Sequence, residues 1–139
     1  MKKILTSKRG EMYFEAVITM MVIMALMVFV LSAFEVSVVK TTADSIADRL
    51  LETATFYGCF GDEFEAEVAM LREKYPNLEF EVGYSGDWYN TELRRVQLGD
   101  TMAVQITYEV TFSGFGSLIS IPLNTTRYGA SENYWKTAV

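Results

Sequence analysis

The sequence predicts an α+β protein: a long N-terminal transmembrane helix continuing into a small head of one short helix and an antiparallel β-meander. Three observations predict it. From Ala16 to Phe34 no residue is charged, and only Thr19 and Ser32 are polar. A bilayer core about 30 Å thick is crossed by roughly 20 apolar residues rising ~1.5 Å each, so this run is long enough. From Val36 to Tyr57 neither Gly nor Pro interrupts the chain. Beyond Leu78, apolar and polar residues alternate with period two, as half-buried antiparallel strands require.

Residues 1–10 form a basic leader. Lys2, Lys3, Lys8 and Arg9 lie there without an acid, whereas Glu35 follows the apolar run and Lys40 stands beyond it. The positive-inside rule then puts residues 1–10 in the cytoplasm and residues from about 40 onward outside. Residues 11–35 are the transmembrane helix. Its extension over 36–57 belongs to the head, which spans 36–139. Val39, Ala43, Ile46, Leu50, Ala54 and Tyr57 fall at the three-to-four spacing of one buried face. Lys40, Asp44, Asp48, Arg49 and Glu52 take the other angles, and Gly58 closes the helix. A single helix of about 45 residues would be near 70 Å long.

Gly58-Cys59-Phe60-Gly61 is a tight break, with Cys59 expected as a small buried hydrophobe. A second helix is predicted over Asp62–Tyr75. Asp62 is the expected cap, Phe64, Val68, Leu71 and Tyr75 the buried face, and Pro76 the stop. Strands are predicted over Leu78–Ser85 and Met102–Ser113, with a weaker one over Leu93–Leu98 that ends at Gly99-Asp100. Gly114-Phe115-Gly116 reads as a turn, and Ser117–Leu123 as a last strand ending near Pro122. Trp88 and Tyr89 are expected in a polar loop. They and the Tyr134-Trp135 pair would seal the edge of a small core in preference to stacking on a glycan.

Charge and composition remove several function classes. The net charge is −6, and the leader's +4 leaves −10 for the rest of the chain. An acidic body without a basic stripe gains nothing from counterion release, so no nucleic-acid partner is expected. There is no histidine, and Cys59 is the single cysteine. The commonest general base, His-dependent triads and most zinc sites are therefore missing. Glu63, Glu65 and Glu67 lie on a helix, where a solvated face is expected in place of a calcium loop. Asp87, Glu92 and Asp100 form no acid–base motif in linear spacing. The expectation is a protein that is not an enzyme and has no cofactor, metal or catalytic residue.

The N-terminus admits three readings. A cleaved secretory signal has an apolar core of about 7–15 residues and a small-x-small exit. The core here is longer, and Leu31-Ser32-Ala33 puts Leu at the outer position. In a plain anchor, Glu11 and Glu15 would mark the interface, since helix N-termini favour acidic side chains. The third reading turns on spacing. Lys8-Arg9-Gly10 is a basic segment ending in glycine, and a cut after Gly10 would make Glu11 the first residue and Glu15 the fifth.

In this respect the sequence resembles type IV prepilins, and most of all the TadE-like minor pilins of tight-adherence (Tad) systems or of conjugative elements. The matching features are Lys8-Arg9-Gly10, four residues, Glu15, and then the apolar run from Ala16. Glu11 at the first mature position and Ala16 after Glu15 depart from the main filament subunits, so the resemblance implies a minor subunit or pseudopilin. It implies processing at Gly10 and Glu11, and subunit assembly through Glu15, whose carboxylate would meet a neighbouring subunit's N-terminal amine. It also implies the partners: other pilin subunits, a prepilin peptidase, and an inner-membrane platform with its cytoplasmic ATPase. The alternative is a single-pass, membrane-anchored extracytoplasmic binding protein that does not polymerise.

Overall fold

Helix α1 runs from Lys8 to Tyr57, 50 residues without a break, in a computed structural model that describes residues 8–114 and 117–136. Its polar hydroxyls do not disturb it. Thr19, Ser32, Thr41, Thr42, Ser45 and Thr53 each donate to the carbonyl four residues earlier, so none leaves an unpaired donor on the helix. Gly58 ends the helix at φ +66, with its N–H donating to the Ala54 carbonyl at 2.8 Å. That left-handed conformation is the expected glycine stop.

Helix α2 spans Asp62–Lys74. The N-cap is Gly61 and not Asp62, and no side chain caps the first turn. Asp62, Glu63 and Glu65 instead fill that turn, while Arg72 and Lys74 fill the last, the arrangement the helix dipole favours. Phe64 and Leu71 are buried, and Val68 and Tyr75 pack beside them as the periodicity predicts.

Five strands follow: β1 Phe80–Gly86, β2 Trp88–Asn90, β3 Arg95–Val96, β4 Thr101–Gly114 and β5 Ser117–Ala130. β1, β4 and β5 make an antiparallel sheet in the order β1-β4-β5, with Phe80 opposite Tyr108 and Thr101 opposite Ala130. The fold is therefore α+β with a long N-terminal helix, and the meander carries an insertion. β2 and β3 pair with each other in a separate small hairpin between β1 and β4.

The core lies between α1 and the sheet. Ala43, Ile46, Ala47, Leu50 and Ala54 bury themselves against Met102, Val104, Ile106, Tyr108 and Val110 of β4. Phe60, Phe64, Leu71, Phe80 and Val96 close the sides. Small alanines on the helix let its backbone approach the sheet, and the larger β4 side chains fill the space between.

Several sequence expectations need correction. Tyr57 is exposed, its ring edge-on to Phe56, and Ala47 takes its place in the buried stripe. Cys59 is half-buried and forms a lone bridge with Arg95. The expected Leu93–Leu98 strand shrinks to two residues because Arg94 adopts a positive φ of 50. Trp88 and Tyr89 lie in β2 and not in a loop. β5 continues past Pro122 to Ala130. It is an edge strand, where a residue without an N–H can face outward without breaking a ladder bond. The turn expected at Gly114-Phe115-Gly116 lies partly outside the described residues.

Candidate functional site

Along its N-terminal half α1 presents apolar side chains in every direction. Tyr13, Phe14, Ile18, Met21, Leu26 and Phe29 are all exposed, as are their apolar neighbours. An 18-residue window of this helix has a mean hydropathy of 2.7, and none of it is buried by the rest of the protein. Length and composition make the helix capable of crossing a membrane. An all-round apolar helix in water would expose a surface far larger than soluble monomers carry, and a bilayer removes that problem.

Glu15 stands where this surface begins. Its backbone carbonyl accepts from the Thr19 hydroxyl at 2.8 Å, and no side chain among the described residues pairs with its carboxylate. Gly10 and Glu11 fall within the first turns of α1. Phe34 and Glu35 are the lowest helix residues that line a groove with the head, and Phe34 is about 28 Å from Glu15 along the axis at ~1.5 Å per residue. No described side chain of the head therefore reaches the three N-terminal positions.

The head is clamped to the upper half of α1 by charges. The Arg127 Nε donates to the Asp48 carboxylate at 2.7 Å, and its Nη2 lies 3.5 Å from the Asp44 Oδ1. Thr125 donates its hydroxyl to the same Asp44 oxygen at 3.0 Å. The hydrogen bond and charge of Asp48, with Asp44 behind it, raise the Arg127 pKa above its ordinary value. Arg49 donates to Glu67 at 2.7 Å, joining α1 to α2, and that bond raises its pKa as well. Glu65 accepts from Arg94 at 3.3 Å. Two of the three glutamates in the acidic stripe of α2 thus meet arginines, and no cluster of three metal-ligating residues occurs among the described residues.

The aromatic residues join the same framework. Phe60 stacks on Tyr84 with ring centroids 4.7 Å apart, and Phe64 and Trp88 meet it edge-on. Trp135 donates its indole N–H to the Gly58 carbonyl at 3.2 Å, while the Arg95 guanidinium sits 4.1 Å above its ring. Gln97 accepts from the Trp135 backbone N–H and donates to its carbonyl. These contacts fasten residues 131–135 to the end of α1, and Trp88 closes the core edge. No hydrogen bond or ion pair links Asp87, Glu92 and Asp100 among the described side chains.

The clamp was not foreseen from sequence, although two signs of it were present. Asp44 and Asp48 are four apart and border the buried stripe. Thr125 and Arg127 share the inward phase of Leu123, so polar groups enter the core side of β5 where a helix carboxylate can meet them.

The family described as a domain of unknown function (DUF4320) matches residues 17–136, and the chain belongs to that family. No curated protein and no solved structure matches it.

Proposed function

We propose that this member of the DUF4320 family is a pilin-like minor subunit or pseudopilin, contributing to a Tad-type pilus or to a secretion or conjugation apparatus. The observation that carries the reading is Glu15. It is a carboxylate at the mouth of an exposed apolar helix, five positions after Gly10, with no partner among the described residues. A buried, uncompensated charge is expensive, and supplying its partner from a neighbouring subunit would fix the axial register between the two. Cleavage after Gly10 by a prepilin peptidase would create that partner, the amine of Glu11. Residues 1–10 would lie in the cytoplasm and the head outside it, with a platform and its cytoplasmic ATPase driving insertion into the fibre. The role is structural, without chemistry of its own.

Two measurements test this. Intact mass of the membrane-extracted protein should correspond to a chain starting at Glu11; an intact Met1, or a start near Phe34, contradicts the proposal. Glu15→Ala should remain processed and membrane-held but fail to co-purify with partner pilins when the assembly machinery is present. A Glu11 substitution should co-purify normally. Full partner recovery by Glu15→Ala would reduce the protein to an anchored external domain.

A further inference from the structure

We propose that the groove between α2 and β1 is a strand-addition site, which receives an extended segment of another protein with a carboxylate at the Arg72 end. Helices α1 and α2 lie side by side over one face of the sheet, joined by the Arg49–Glu67 ion pair. Two helices each about 10 Å wide need about 20 Å of sheet beneath them. Three strands ~4.8 Å apart supply only about 14 Å, so the sheet is about one strand too narrow for its helices. The deficit falls beside β1. Val82 and Tyr84 stand in register with Ile106 and Val104, which are completely buried, yet Val82 is only half-buried and Tyr84 is 37% exposed. They line an open groove with Val68, Ala69 and Arg72 of α2.

The unfilled place has what an added strand uses. β1 is an edge of the sheet, and no backbone group among the described residues hydrogen-bonds to its outer side. No proline interrupts Phe80–Gly86, so every residue there keeps its N–H. Main-chain bonds would give an incoming segment its affinity, and its alternate side chains would fall on the apolar floor of Val68, Ala69 and Val82. The upper wall is already fixed. Tyr84 stacks on Phe60 at 4.7 Å, and Arg94 sits 5.4 Å from the Tyr84 centroid while meeting Glu65. At the lower end Arg72 lies over the Phe80 ring at 5.7 Å and has no carboxylate partner among the described residues. That guanidinium fixes the sign of the incoming charge. β5 of a second copy does not fit. It bears no acidic residue from Ser117 to Ala130, and the α1 packed behind it would take the space that α2 fills.

The inference rests on the head alone and not on cleavage or assembly into a fibre. The test pans a random heptapeptide library, the length of β1, displayed on phage against the full chain in phosphatidylcholine nanodiscs. Empty nanodiscs serve for counter-selection. Selected peptides should alternate apolar residues and carry Asp or Glu at one end. Arg72→Glu should turn that end to Lys or Arg. Ala69→Trp, which fills the floor, should weaken binding of the selected peptides by about ten-fold or more. N-methylation at alternate peptide amides should weaken it as much, while N-methylation of the amides between them should not. Near-UV circular dichroism selects the variants that keep the native head, and the N-methylated peptides test the wild-type chain without any substitution. A library without enriched sequences, or peptides insensitive both to N-methylation and to Ala69→Trp, overturns the proposal. Equally tight binding of a synthetic peptide of residues 123–129 also overturns it, because a second copy would then be the occupant.

Discussion

Gly58 sits at φ +66, where a side chain is strained, and a Cβ built there would lie 2.7 Å from the Asn133 Cβ and 2.8 Å from the Ser131 Oγ. Gly99 has a similar φ of +85, but nothing lies within 4 Å of the corresponding position. Both alanine substitutions carry the backbone penalty, roughly 1–2 kcal/mol, and Gly58→Ala must also displace the segment that Trp135 fastens. Denaturant titration followed by tryptophan fluorescence should place the Gly58→Ala midpoint clearly below that of Gly99→Ala. Arg127 offers a different test. Its raised pKa means that the folded state holds the proton more tightly, so its contribution is complete below the ordinary arginine value and fades only as pH rises through the raised one. Arg127→Met should therefore lower head stability by a small amount that stays constant from pH 7 to 10. A difference that closed within that window would assign the contact to another titrating group.

Among the elements, α1 and β4 carry the core, and both were legible because each buries one face completely. Ala43, Ile46, Leu50 and Ala54 keep helical period, and Met102 through Val110 keep period two. Leu50 is fully buried, so Leu50→Ala should destabilise the head by about 2–5 kcal/mol, read as a shifted unfolding midpoint of the full chain in nanodiscs. An unchanged midpoint would mean that the head does not depend on this face. The elements that escaped sequence reading did so for physical reasons. The three-residue β2 is too short to show a period, and β3 keeps only Arg95–Val96 of the strand expected over Leu93–Leu98. β5 hides its second half behind Pro122, and its inward positions there are Thr125 and Arg127, polar residues whose partners lie some 80 positions earlier on α1. Asp62 looked like a cap because sequence cannot tell a capping residue from a first-turn acid one position later.

At the scale of the whole molecule, charge and hydropathy divide the chain into parts that a membrane reconciles: ten first residues carrying +4, an uncharged run from Ala16 to Phe34, and a remainder carrying −10. The partition was visible from residue order alone. The isolation of Glu15 was not, since it follows from the absence of any bend that would fold the head back toward it. Under the proposed function Gly10 belongs to the same scale, because the cut after it would decide what is removed or retained. Gly10→Val should leave full-length precursor in the membrane, and normal processing of that variant would contradict a prepilin-type cut. The unbroken course of α1 has a mechanical consequence. With no hinge between Phe34 and Tyr57, the segment acts as a lever about 35 Å long at ~1.5 Å per residue. Transmembrane helices tilt by about 20° on average, which would swing the far end of such a lever by roughly 12 Å. A change in bilayer thickness, or a rotation imposed on the helix from the cytoplasmic side, would then reappear at the head as a displacement and a turn.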